Sequence, residues 1–79
     1  MKAKLERRKT RKVLLDTVDK VKEFVRYTNK FLRDVQVVSG RYVVDAKSIL
    51  GIMSLDLSKP VIANIHEDDI ELADMLIKK

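Results

Sequence analysis

Between Val18 and Phe31 the residues Val21, Phe24, Val25, Thr28 and Phe31 recur at spacings of three and four, which places them on one face of a helix, with Tyr27 and Leu32 at its margin. A face of this kind must be covered. The chain has 79 residues, enough for one small domain and near the lower size at which a core alone offsets chain entropy. The cover therefore has to come from the same domain, and the remaining sequence offers strands for it.

Residues 12–15 form a short apolar run that reads as a first strand, which the preceding basic residues extend toward Leu5. Asp16 or Thr17 then caps the helix. Residues 34–38 and 41–44 are rich in β-branched side chains and read as a hairpin, with a turn at Ser39-Gly40 where Gly40 takes a positive φ. A second, short helix is expected over residues 48–55. Pro60 ends the connection that follows, residues 61–65 form the last strand, and a helix opened by Glu67 or Asp68 reaches Ile77. The order is βαββαβα, an α+β open-faced sandwich whose helices lie on a single face of the sheet. Gly51 inside the second helix costs about 1 kcal/mol relative to Ala, which points to close approach by a neighbour, within the fold or from a docked partner.

Ser48 stands at the start of that second helix, in the stretch DAKSILGIMSL. A serine there accepts a hydrogen bond from a backbone N–H two or three residues on, so it is a cap. The same unpaired N–H groups and the positive end of the helix dipole favour a phosphate on its hydroxyl, so it is also a candidate phosphorylation switch.

The segment AKSILGIMSL, the sequence DLSKPVIANIHEDDIELADMLIKK after it, and DKVKEFVRYTNKF upstream together resemble the HPr phosphocarrier family of the bacterial sugar phosphotransferase system, in its Gram-positive form. The resemblance covers about four-fifths of the chain. It implies a four-stranded antiparallel sheet in the order 1-4-2-3, covered on one face by three helices. It implies that Ser48 is the serine phosphorylated by a metabolite-responsive kinase, and that the apolar residues after it, Ile49, Leu50, Ile52 and Met53, form the docking surface; Lys47, the nearest cation to a phosphate there, joins them as a partner-binding residue. Relative to the family, one extra residue lies between Gly40 and Ser48, and a bulge at the hairpin end is expected to absorb it.

The family transfers phosphate through a histidine in a His-x-Arg-Pro pattern before the first helix. Aligned on Phe24 and Phe31, this chain has Thr17 in place of that histidine, Asp19 in place of the arginine and Lys20 in place of the proline. A neutral imidazole is a nucleophile and then a good leaving group, whereas a threonine hydroxyl forms a stable ester. On this alignment the chain is a divergent member without the active-site histidine: a regulatory or adaptor module rather than a carrier, and not an enzyme. The alternatives are a phosphocarrier that uses Thr17 or Asp16 as acceptor, and a nucleic-acid-binding protein. The single histidine, His66, falls at the other pole of the sheet from Thr17 and reads as a solvated turn residue. Its acidic neighbours Glu67, Asp68 and Asp69 are capping residues, and no metal or cofactor is expected.

Charge is distributed unevenly. The formal net charge is +5, yet the first twelve residues hold seven of the seventeen basic residues and one of the twelve acidic ones. The body is thus nearly neutral, and residues 1–11 read as a basic arm before a domain of residues 12–79. Such an arm binds polyanions by counterion release, but it carries no aromatic residue to stack on bases, so nucleic acid is not the expected partner. The expected partners are proteins, a serine kinase or a regulator of phosphotransferase type, with a homodimer through an edge strand or the second helix as a further option. The absence of cysteine fits a reducing compartment. With no apolar run near 18 residues and no signal-peptide pattern, the expected location is the cytoplasm, away from membranes.

Overall fold

The computed structural model describes residues 7–77. Four strands, β1 (Arg8–Val13), β2 (Gln36–Ser39), β3 (Tyr42–Asp45) and β4 (Val61–His66), form one antiparallel sheet in the order β1-β4-β2-β3. The helices are α1 (Val18–Thr28), α2 (Ile49–Met53) and α3 (Ile70–Ile77), the last preceded by a 3-10 turn at Glu67–Asp69. The architecture is the expected α+β open-faced sandwich.

β4 alternates without interruption. Val61, Ala63 and Ile65 are buried toward the helices, and Ile62, Asn64 and His66 are half-buried on the open face. Val37 on β2 joins the inner set, and from above it is met by Val21, Phe24 and Thr28 of α1, Ile52 of α2 and Ala73 of α3. The face read from the three-and-four spacing is therefore the core face of α1.

Strand limits shift in one place that matters. β1 begins at Arg8 and ends at Val13, so Leu14 and Leu15 leave the sheet and residues 8–11 of the basic stretch enter it, paired from Arg8 opposite His66 to Val13 opposite Val61. The first residues of that stretch, 1–6, lie outside the described residues. Arg11 has a partner there: its Nε and Nη2 donate to the two carboxylate oxygens of Asp74 on α3 at 2.8 and 3.1 Å. That pairing holds the guanidinium pKa above its ordinary value, chiefly through the hydrogen bond.

The hairpin turn is Gly40-Arg41, one residue later than the sequence suggests. Gly40 has φ +60° and Arg41 a negative φ, the arrangement of a type II′ turn. Pairing runs regularly from Ser39 opposite Tyr42 to Gln36 opposite Asp45, so the expected bulge is absent from this ladder.

The acidic run before α3 does more than cap. Asp69 is buried, and its two carboxylate oxygens each accept a backbone N–H, from Leu32 and Arg33, at 2.9 Å. It thereby fixes the loop between α1 and β2. Asp69→Ala leaves two backbone donors without partners and is expected to cost about 2–3 kcal/mol, a loss readable as a lower urea midpoint at unchanged slope.

Candidate functional site

The turn between β3 and α2 is built from side-chain and backbone bonds in sequence. The Asp45 carboxylate accepts from the Lys47 N–H at 2.9 Å, and its carbonyl accepts from the Ser48 N–H at 3.0 Å. Ser48 is extended (φ −103°, ψ 108°), and its Oγ accepts from the Gly51 N–H at 3.1 Å. At the other end of this five-residue helix the Ser54 hydroxyl donates to the Gly51 carbonyl at 2.6 Å.

Gly51 is explained from within the fold. A Cβ there would lie 3.3 Å from Ser48 Oγ and 3.4 Å from the Val44 Cβ, so the missing side chain leaves room for the capping hydroxyl. Thr28 ties this turn to α1. Counted in the sequence only as part of an apolar face, it is fully buried and its hydroxyl lies 3.0 Å from both the Val25 and the Ala46 carbonyls.

The residues expected to dock a partner do not all face outward. Ile52 is fully buried, because it is the residue of α2 that enters the core, and it is removed from the docking set. Ile49 is partly buried against the same core, and Lys47 is half-buried. Leu50 is 80% exposed and Met53 44% exposed, so these two side chains, with the exposed Ser48, make up the outer surface of the helix.

Thr17 belongs to a different place. It caps α1, its Oγ1 accepting from the Lys20 N–H at 3.1 Å. Beside it, Asp16 is bound to Lys20 Nζ at 2.9 Å, a hydrogen bond that holds its carboxyl below the usual carboxylate range. Thr17 marks the start of α1, and the Thr28–Ala46 bond ties the end of that helix, about 16 Å away at 1.5 Å per residue, to the turn before Ser48.

His66 lies opposite Arg8, at the far end of β1 from the residues leading to Thr17. It is not a solvated turn residue: its side chain is only 14% exposed and Nδ1 accepts from the Asp68 N–H at 2.9 Å, capping the 3-10 turn. Among the described residues no three His, Cys, Asp or Glu side chains come together as a metal site. The arginines of the basic stretch have partners within the fold. Arg7 pairs with Glu67 at 3.7 Å, Arg8 donates to the Asp34 carbonyl at 2.8 Å, and Arg11 holds Asp74. No helix among the described residues is long and apolar enough to cross a membrane.

The residue pattern of the PTS-HPr family, described as the PTS HPr component phosphorylation site, matches residues 20–70. The chain belongs to the HPr family. HPr-C-His from Thermoanaerobacter tengcongensis is 30% identical, with 91% of each chain covered and a TM-score of 0.71. Phosphocarrier protein HPr from Bacillus anthracis str. Ames is 25% identical over 90% of this chain and 94% of that one, with a TM-score of 0.64. A comparison with curated protein sequences finds no match. The family match contains the Ser48 turn and begins three residues after Thr17. This HPr chain is accordingly a protein of phosphotransferase type, from a family of phosphocarriers and partners of phosphotransferase proteins.

Two measurements check the geometry. Ser48→Ala should cost about 1 kcal/mol and Ser48→Gly only a few tenths, read from thermal or urea unfolding, since only the cap is lost. Lys20→Met should move the Asp16 pKa upward in an NMR titration. Because the folded value lies below the unfolded one, the Asp16 contribution is present above the ordinary carboxylate range and fades as the pH falls through the folded value.

Proposed function

We infer that this HPr-family chain acts as a regulatory or adaptor module, controlled or bound at the Ser48 helix, and not as a histidine phosphocarrier. The observation that carries this reading is the outer surface of α2: an exposed serine hydroxyl at the helix start, followed by the exposed side chains of Leu50 and Met53. A phosphate on Ser48 would add roughly two negative charges where unpaired N–H groups converge, with Lys47 as the neighbouring cation in sequence. A partner presenting an Arg or Lys cluster would then prefer the modified form, and an unmodified partner would meet an apolar surface.

The other half of the reading concerns Thr17. By the resemblance it stands where the carriers have their histidine, and its hydroxyl is engaged as a helix cap. Asp16, the more labile candidate acceptor, is held by Lys20, and by the resemblance Asp19 stands where the carriers have the arginine that would steady a phosphoryl group. The chain's one imidazole, on His66, is committed to a cap at the other end of the sheet. Cytoplasmic residence and a serine kinase as partner belong to the same proposal.

The test is to incubate the protein separately with the general phosphodonor of the phosphotransferase system and with the serine kinase of a Gram-positive bacterium, then locate any phosphate by intact-mass and fragment spectra. One phosphate on Ser48 from the kinase, absent in Ser48→Ala, and none from the phosphodonor is the expected result. Acid-labile phosphate from the phosphodonor would overturn the reading in favour of a carrier.

A further inference from the structure

The two edges of the sheet are chemically unlike. β1 presents Arg8, Lys9, Arg11 and Lys12 within six residues, and a like-charged edge of this kind resists pairing with its own copy. β3 is the opposite edge, Tyr42-Val43-Val44-Asp45, with Tyr42 66% and Val43 55% exposed and no cation within the strand. Its backbone directions follow from one bond just past the ladder. The Ala46 N–H donates to the Val35 carbonyl at 2.9 Å, so Ala46, Val44 and Tyr42 direct their backbone groups to β2, and Val43 and Asp45 direct theirs outward. Shallow concavities flank this free edge on both sides, one lined by Tyr42, Val44, Leu55 and Lys59, the other by Asp34, Gln36 and Asp45.

We propose that β3 is a self-association edge, on which a second copy of this chain adds its own β3 antiparallel about a two-fold axis through Val43. Only pairings that match outward residues with outward residues satisfy the backbone, and the register centred on Val43 is one of them. It sets Val43 opposite Val43 of the second copy, which exchanges two backbone bonds. It also sets each Arg41 opposite Asp45, where the Asp45 N–H reaches the Arg41 carbonyl. Arg41, in the turn, has no ion-pair or hydrogen-bond partner among the described residues, and this register gives it a carboxylate in both halves of the dimer. Tyr42 and Val44 meet across the strands as an aromatic and β-branched pair. The contact is a closed, isologous one, making a continuous eight-stranded sheet from two four-stranded ones. The contact is confined to one four-residue strand and the turn beside it from each copy, so the dimer is a weak one. The proposal is independent of the role assigned to Ser48.

The experiment is sedimentation equilibrium of the full chain up to the highest concentration it tolerates, with amide hydrogen exchange read by NMR. The expected result is twice the monomer mass at high concentration, with exchange at Val43 and Asp45 slowing as concentration rises. Arg41→Asp sets like charges opposite each other and should abolish the dimer, whereas Arg41→Lys keeps a cation opposite Asp45 and should retain it. Val43→Pro removes an outward donor that the native sheet does not use, and should give a folded monomer by its thermal transition. A chain that stays monomeric throughout overturns the proposal and leaves the edge to an extended peptide from another protein. A dimer that survives both Arg41→Asp and Val43→Pro, or growth past two copies, overturns it as well.

Discussion

Everything in this fold leans on β4. It is the last strand to be made and it sits between β1 and β2, so the sheet closes only when the chain has returned from α2 and threaded its inner residues between strands already present. Its alternation is strict because one face is fully buried: a slip of one residue would turn Val61, Ala63 and Ile65 to the open side and bring Asn64 and His66 into the core. The connection from β1 through α1 to β2 is long-range in the same sense. Asp69, placed by the end of β4, holds the loop that feeds β2, so the strand and the loop it must meet are secured by one carboxylate.

That dependence explains what the sequence did and did not disclose. Element types were legible wherever apolar residues keep a period, as in α1 and β4, and the glycine at the hairpin was legible as a positive φ. The start of β1 was hidden because Arg8, Lys9, Arg11 and Lys12 are poor advertisements for a strand, and only the pairing with β4 and the bond from Arg11 to Asp74 make one of them. Asp69 was hidden for a related reason. An acidic residue at a helix start has an adequate local explanation, and nothing local marks the one whose carboxylate turns inward to a loop more than thirty residues away. The strand order came from family resemblance, since periodicity contains no information about which strands are neighbours.

The candidate site was legible in its centre and less so around it. Ser48 caps α2 as its position implies. Ile52, drawn into the docking set along with its neighbours, belongs to the core because a helix of five residues must give at least one side chain to the sheet beneath it or lose contact with the fold. The hydroxyl of Thr28 illustrates the reverse error. Threonine fits an apolar stripe by size, and only the structure shows that its polar atom lies between two carbonyls, joining α1 to the turn before Ser48.

A segment such as AKSILGIMSL can persist for packing alone, and the structure separates the residues that packing explains from those it does not. Ser48 satisfies a backbone donor, Gly51 makes room for that hydroxyl against Val44, and Ile52 fills the core. None of these requires a large apolar side chain at position 50, where Leu50 leaves four-fifths of its surface in water. One exposed leucine is ordinary on any protein. Here it shares a five-residue helix with Met53, directly after an accessible serine, so apolar surface that stability leaves unexplained adjoins the place where a charge on Ser48 would act on a partner.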